Sequence, residues 1–341
     1  MVDELRRRPK LLAVILLVVA SAAWGSTFVI VKGAVSHSSV LQFLSWRFLV
    51  ASALLIAFRP RALARLDRQA WARGVALGMV LAGGYILQTY GLRHTTAAIS
   101  GFLTGLQVVF TPVLGWLLLR HRAAPRTWVA VGVATIGLAI ISLRGVAIGP
   151  GELLTLASAA AFALQIVGTG RWSNRQDAYG LAVVQLMTVA VVTTVAAAPS
   201  GLSLPDTAGL WGAVAATAVA ATAFAFAVQS WAQVHLSATS ASVVFTTEPV
   251  FAALVAWLVG EPIGPAVAIG GALVVASMLV LGLGSPGRRR RTASVSGADL
   301  VDVPEGSTGR GLLGEPDVTA PDGEHVPPGV VPRWIGAPAA T

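Results

Sequence analysis

Ten apolar runs, each about long enough to cross a bilayer, follow one another between residues 11 and 284. A helix needs about 20 residues to span a hydrocarbon core of about 30 Å. The runs fall at 11–34, 39–58, 71–91, 95–119, 127–143, 150–170, 178–198, 209–231, 237–259 and 265–284. In lipid every backbone N–H and C=O must be satisfied within the chain, which leaves helices and closed barrels. The residue-by-residue alternation of a barrel strand is absent. The pattern predicts an all-α integral membrane protein with ten transmembrane helices. Composition agrees: 55% of residues are hydrophobic and only 11% charged, with a mean hydropathy of +0.75. Soluble domains carry about 25% charged residues, so these charges are too few to cover a soluble surface.

The net charge of +9 invites a nucleic-acid reading, but the basic residues sit in short clusters between apolar runs and form no basic face. Their placement sets orientation instead, because cytoplasmic loops collect Lys and Arg. With the N-terminus in the cytoplasm, Arg6–Arg8, Lys10, Arg59, Arg61, Arg65, Arg68, Arg73, Arg120, Arg122, Arg126, Arg171, Arg175 and Arg288–Arg291 all fall inside. Only Arg93, Arg144 and Lys32 fall toward the outside. That alternation survives only an even number of spans, so ten spans with both termini cytoplasmic, in a plasma (inner) membrane, is self-consistent. The first run mimics a secretory signal, with Arg6–Arg8 before it and Ala20-Ser21-Ala22-Ala23 within it. Its apolar character continues to Val35, so it reads as a retained helix. Residues 285–341 are rich in Gly, Pro and acids without apolar period and read as a disordered cytoplasmic tail.

Other chemistries are thinly represented. Cysteine is absent, which excludes thiolate metal sites and cysteine nucleophiles. The histidines show no ligand spacing, and neither Lys10 nor Lys32 lies in a phosphate-binding P-loop. No cofactor or metal is called for. An enzyme acting on a lipid carrier would need acids or histidines clustered at an interface. Glu152, Asp177, Asp206, Glu248 and Glu261 are scattered instead, so the chain reads as a non-enzyme.

The two halves echo each other. Trp24 precedes Arg47 at the same spacing at which Phe162 precedes Gln185. The segment Gln88-Thr89-Tyr90-Gly91-Leu92-Arg93-His94 returns as Gln229-Ser230-Trp231-Ala232-Gln233-Val234-His235, and Pro112 and Pro249 follow. Five spans per half is an odd number, so the second copy is inverted. Inverted repeats around a midplane site are a transporter arrangement.

These residues resemble the EamA-like ten-helix transporters of the drug/metabolite transporter superfamily. The likeness is carried by Ala23-Trp24-Gly25-Ser26, Trp46-Arg47-Phe48, the stretch from Gln88 to Trp116, Glu248-Pro249-Val250-Phe251 and Gly260-Glu261-Pro262. It departs where Arg120-His121-Arg122 stands in place of a Gly-Glu pair in the first half. The resemblance implies two inverted five-helix repeats around a central cavity. Residues 1–10 form a cytoplasmic basic segment, 11–147 and 148–284 the EamA-like repeats, and 285–341 the tail. It also implies export of a small metabolite, amino-acid-like, or of a drug, by alternating access. An importer of the same fold is the alternative. The expected partners are the small-molecule substrate, the lipid bilayer and a proton as candidate coupling ion, without nucleic acid. Monomer and homodimer both stay open.

Charges within a bilayer are costly, roughly 2.5–3.5 kcal/mol at a helix centre, so Arg47 and Glu248 are the first site candidates. Either they meet a substrate carboxylate, an amine or a proton, or they pair with each other and fix packing. Thr96, Ser100, Thr104, Gln107 and Thr111 share one helical face, as do Glu152, Thr155, Phe162, Gln165 and Thr169. Gly74, Gly78, Ala82, Tyr85 and Gln88 form a third stripe. From these come the cavity candidates Trp24, Arg47, Tyr85, Gln88, Thr104, Gln107, Gln165, Trp231 and Glu248. Lys32 reads as a snorkelling or steering charge at the outer mouth, and Glu261 as a cap on the last helix. Gly101 and Gly105 read as a close-packing motif.

Overall fold

Each of the ten apolar runs is helical. The computed structural model describes residues 9–120, 125–143, 149–173 and 177–283. Expectations for Arg6–Arg8, His121, Arg122, Arg144, Arg175, Arg288–Arg291 and the tail at 285–341 lie outside the described residues. The helices are α1 (Pro9–Val35), α2 (Val40–Phe58), α3 (Arg68–Leu92), α4 (Ala97–Gly105), α5 (Gln107–Leu119), α6 (Pro125–Leu143) and α7 (Pro150–Trp172). There follow α8 (Ala178–Ala197), α9 (Ala208–Ala218), α10 (Ala225–His235), α11 (Ala238–Val244), α12 (Thr247–Leu258) and α13 (Pro265–Leu283). Eight helical stretches are long and apolar enough to cross a membrane, α4 with α5, α9 with α10, and α11 with α12 each counting as one. The further apolar helices α6 and α13 pack against each other.

Polar side chains start several of the helices. Asp67 Oδ1 accepts from the Ala70 N–H at 2.6 Å, Thr96 Oγ1 from Ile99 at 3.2 Å and Thr207 Oγ1 from Leu210 at 3.2 Å. Each satisfies an N–H that has no carbonyl partner in the first turn. Glu152 does the same for Gly149, at 2.9 Å, ahead of α7. This removes Glu152 from any cavity face.

Three spans are interrupted near mid-depth. At Leu106, between α4 and α5, the backbone tightens and the Leu106 N–H reaches Leu103 O at 3.1 Å. At Phe245–Thr246, between α11 and α12, Glu248 N–H bonds Phe245 O at 3.0 Å. Pro249 therefore falls in the first turn of α12, where its missing N–H costs no bond. Pro112 lies inside α5. Between α9 and α10 the chain widens into a π turn over Val219–Phe224.

Close backbone approach sets how these pieces pack. A Cβ at Gly25 of α1 would stand 2.7 Å from Glu248 O and 2.8 Å from Ala252 N of α12. One at Gly101 of α4 would stand 2.5 Å from Ala252 Cβ. The small-residue motif thus serves packing inside the bundle. The helix α12 is wedged between α1 and α4, and α3 lies between α7 and α8.

Candidate functional site

Eight of the nine sequence candidates line one cavity: Trp24, Arg47, Tyr85, Gln88, Thr104, Gln107, Gln165 and Glu248. The space not filled by atoms is about 470 Å³, but only about 50 Å³ admits the centre of a water-sized group. That is room for roughly three or four waters, so the cavity is narrow in this conformation.

The helix interruptions bring its polar groups together. Gln107 opens α5 and Glu248 lies in the first turn of α12, and Gln107 Nε2 donates to Glu248 Oε2 at 3.1 Å. A carboxylate in a helix's first turn is favoured by the backbone dipoles. Arg47, 2% exposed, donates from Nε to Thr222 Oγ1 at 2.8 Å, and Thr222 in turn donates to Thr217 O at 2.8 Å. The Arg47 guanidinium sits 5.0 Å from the Tyr85 ring centre and 5.4 Å from that of Phe48. Its Nη2 is buried without a hydrogen-bond partner. The expected alternative, an Arg47–Glu248 pair, is not formed. Lys32 and Glu261, not Arg47 and Glu248, form an ion pair. A buried N–H left unpaired costs about 1–3 kcal/mol, so Arg47 presents a donor that an anionic acceptor would satisfy.

Amides and rings complete the walls. Gln88 Nε2 donates to Thr104 Oγ1 at 3.1 Å. Gln165 Nε2 reaches Gln185 Oε1 at 2.8 Å, and Gln229 Nε2 reaches Gln165 Oε1 at 3.2 Å. Trp24 packs edge-on to Phe226 and Phe245, with centroids 5.8 and 5.4 Å apart, and Tyr85 to Phe162 at 5.2 Å. Edge-to-face packing of this kind is the favoured aromatic arrangement. Trp24 Nε1 is fixed by Ala221 O at 2.7 Å, at the π turn.

Trp231 is the candidate the structure does not bring there. It packs at a tilt against His235, with ring centres 4.7 Å apart, and lines a separate hollow with Arg59, Arg65 and Tyr179. Gln229, two residues earlier, lines the cavity in its place. The repeat signal that aligns Gln88 with Gln229 could have found it. Thr222 and the aromatic Phe226 and Phe245 were missed as well, and no polar period marks them. Of the hydroxyl stripe, Thr96 caps α4 and Thr111 bonds back to Gln107 O at 2.7 Å, while Ser100 is buried without a partner.

At one end of the bundle, Glu261 does not cap α13 as expected. Its Oε1 accepts from Lys32 Nζ at 2.8 Å and from Ala97 N at 3.1 Å, and its Oε2 accepts from Ala98 N at 3.2 Å. The carboxylate therefore caps α4 and ties it to α1. Burial pushes the Glu261 carboxyl up. The Lys32 hydrogen bond, the two backbone N–H groups and the Lys32 charge outweigh it and hold the group below the usual carboxylate range.

The chain matches the EamA-like transporter family twice, over residues 11–143 and 149–283. An Archaeoglobus fulgidus protein named Uncharacterized transporter is 28% identical over 269 residues, spanning 78% of this chain and 84% of that protein. Uncharacterized transporter YyaM of Bacillus subtilis is 23% identical over 273 residues, spanning 75% and 88%. A crystal structure superposes with a TM-score of 0.63 at 18% identity, over 80% of this chain and 96% of that one. At that identity the likeness is one of fold.

Proposed function

Because the chain belongs to the EamA-like transporter family, a family of multi-pass membrane transporters, we propose that it is a secondary transporter exporting a small amino-acid-like metabolite or drug by alternating access. The observation that carries this reading is the narrow cavity lined by both Arg47, whose Nη2 has no hydrogen-bond partner, and Glu248, between aromatic walls. A substrate carboxylate satisfies Arg47, an amine meets Glu248, and an apolar body packs on Trp24, Tyr85 and Phe162. Glu248 also carries the coupling proton when the amine is absent.

Ten spans in two inverted repeats, residues 11–147 and 148–284, are part of the same proposal. Reciprocal packing supports it. The first span (α1) packs on the ninth (α11 with α12) as the sixth (α7) packs on the fourth (α4 with α5). The third (α3) packs on the sixth as the eighth (α9 with α10) packs on the first. The second and seventh (α2 and α8), the fourth and ninth, and the fifth and tenth (α6 and α13) meet each other. The fourth span of each half is interrupted near its middle, as inverted-repeat transporters break the helices at their sites. The bias of arginine toward one set of loops supports cytoplasmic termini in the plasma membrane. In this arrangement Lys32 and Glu261 close the outer mouth.

Purified protein in liposomes, offered amino acids, purines, sugars and cationic drugs with and without a proton gradient, tests the reading. Saturable movement of one class is the expected result, impaired in Arg47→Ala and no longer responsive to the proton gradient in Glu248→Gln. If nothing in the panel moves, the proposal fails. Movement only into the equivalent of the cytoplasm would make the protein an importer.

A further inference from the structure

Away from the central cavity, a hollow at one end of the bundle is lined by Arg59, Arg61, Arg65, Tyr179 and Gly180. A second hollow shares Arg59, Arg65 and Tyr179 and continues toward Ala227 and Trp231. The first leaves about 390 Å³ open to a water-sized group, against about 50 Å³ in the central cavity. The arginines belong to the short 3-10 segment Pro60–Arg65 and the residue before it, between α2 and α3. Arg59 and Arg65 line both hollows and Arg61 only the first.

The segment is held in place. Leu66 rests on Gly180 of α8, where a Cβ would come within 2.8 Å of Leu66 Cδ2. The Tyr179 hydroxyl donates to Leu55 O at 2.7 Å, and the Arg59 guanidinium lies 5.3 Å from the Tyr179 ring centre. A basic residue that only orients the chain in the membrane needs no fixed geometry, whereas this one is stacked and aimed. Among the described residues no carboxylate pairs with Arg59, Arg61 or Arg65. The one acid lining either hollow, Asp177, belongs to the second.

We infer that the arginine hollow binds a phosphate group, carried by an anionic lipid at the membrane surface or by a soluble phosphate ester. Planar guanidinium forks match phosphate oxygens two at a time, and basic pockets between helices at a membrane surface take anionic head groups. Beside the hollow, Leu54 and Phe58 of α2 are exposed, an apolar flank on which an acyl chain can lie.

The test titrates full-length protein in neutral detergent with short-chain phosphatidylglycerol, with glycerol 1-phosphate and with short-chain phosphatidylcholine. Binding is read by melting temperature and by native mass spectrometry. Saturable binding of either anionic probe is expected, with the source given by which of the two binds. In Arg59→Lys/Arg65→Lys, which keeps charge and membrane orientation but loses the forks, Kd rises at least about tenfold (about 1.4 kcal/mol). In Arg59→Gln/Arg65→Gln binding is lost. The inference is overturned if neither anionic probe saturates, if phosphatidylcholine binds as well as phosphatidylglycerol, or if the lysine variant keeps the wild-type Kd. The lysine variant decides the matter should the glutamine variant fail to insert.

Discussion

Replacing Glu261 by Gln removes one charge from the mouth of the bundle and leaves the side chain's shape. The carboxylate joins α1, through Lys32, to the start of α4, through Ala97 and Ala98. Lys32 is 36% exposed, so screening by solvent limits the ion pair to about 1 kcal/mol at most. The charge at the N-terminus of α4 adds about 0.3–1 kcal/mol. Turning one oxygen into an NH2 strips one backbone N–H of its acceptor, about 1 kcal/mol more. Together the loss is about 2 kcal/mol, or roughly 30-fold in the balance between closed and open mouth. The chain has no cysteine, so Thr27→Cys, at a cavity-lining position, provides a single thiol. A membrane-impermeant maleimide added from the Lys32 side then reports opening. The Glu261→Gln background is expected to label roughly 30-fold faster at neutral pH. Acid supplies a second arm. The Glu261 carboxyl is held below its ordinary range in the folded protein, so its contribution is complete above about pH 4.3 and is lost as pH falls through the folded value. Because maleimide reacts with the thiolate, both rates fall with pH and the readout is their ratio: the lead of the Gln variant over the Glu261 protein holds from neutral pH to about 4.3 and shrinks below it. Neutral-pH rates within about twofold of each other, well short of the expected ratio, would refute the assignment.

Four further outcomes follow from the same geometry. Glu248→Gln removes the only carboxylate that lines the central cavity among the described residues, so transport in liposomes loses its dependence on an imposed pH gradient while membrane insertion is unchanged. Arg47→Ala removes the Thr222 bond and the ring stack and lowers kcat/KM by about 10- to 100-fold; wild-type flux would remove Arg47 from the site. Gly25→Val drives a branched side chain into Glu248 O and Ala252 N, lowering stability by about 1–3 kcal/mol or more, and an unshifted melting temperature would contradict that packing. Trp231→Phe leaves substrate KM within about twofold, because the ring stands outside the cavity; a rise of about tenfold would return it to the site.

The helices were legible because lipid admits few solutions. A run of about 20 apolar residues has nowhere to satisfy its backbone except within itself. The interruptions were not legible. Gly105 precedes the break at Leu106, but Gly101 lies within α4 without breaking it, and the alanine-rich stretch around Ala221 has ordinary helix-forming neighbours; there Trp24 and Arg47 dock on the π turn. Arg47 and Glu248 stood out by cost of burial, and the stripe through Thr104 and Gln107 by period. Trp231 was chosen for its ring, yet two positions on a helix are about 200° apart, so the face that holds Gln229 turns Trp231 away. Glu261 misled for another reason. Its neighbours Pro262 and Pro265 suggest a local cap, while its partners lie on helices far off in sequence.

The bond between Gln107 and Glu248 joins two interrupted helices, not two continuous rods. An unbroken helix carries a push from one end to the other as a stiff lever. A helix jointed at mid-depth lets its ends move separately, so α4 can stay docked on Glu261 while α5 swings. The polar tie at this joint is one amide–carboxylate bond, worth about 1.5–3 kcal/mol. Bending at either joint would strain this bond.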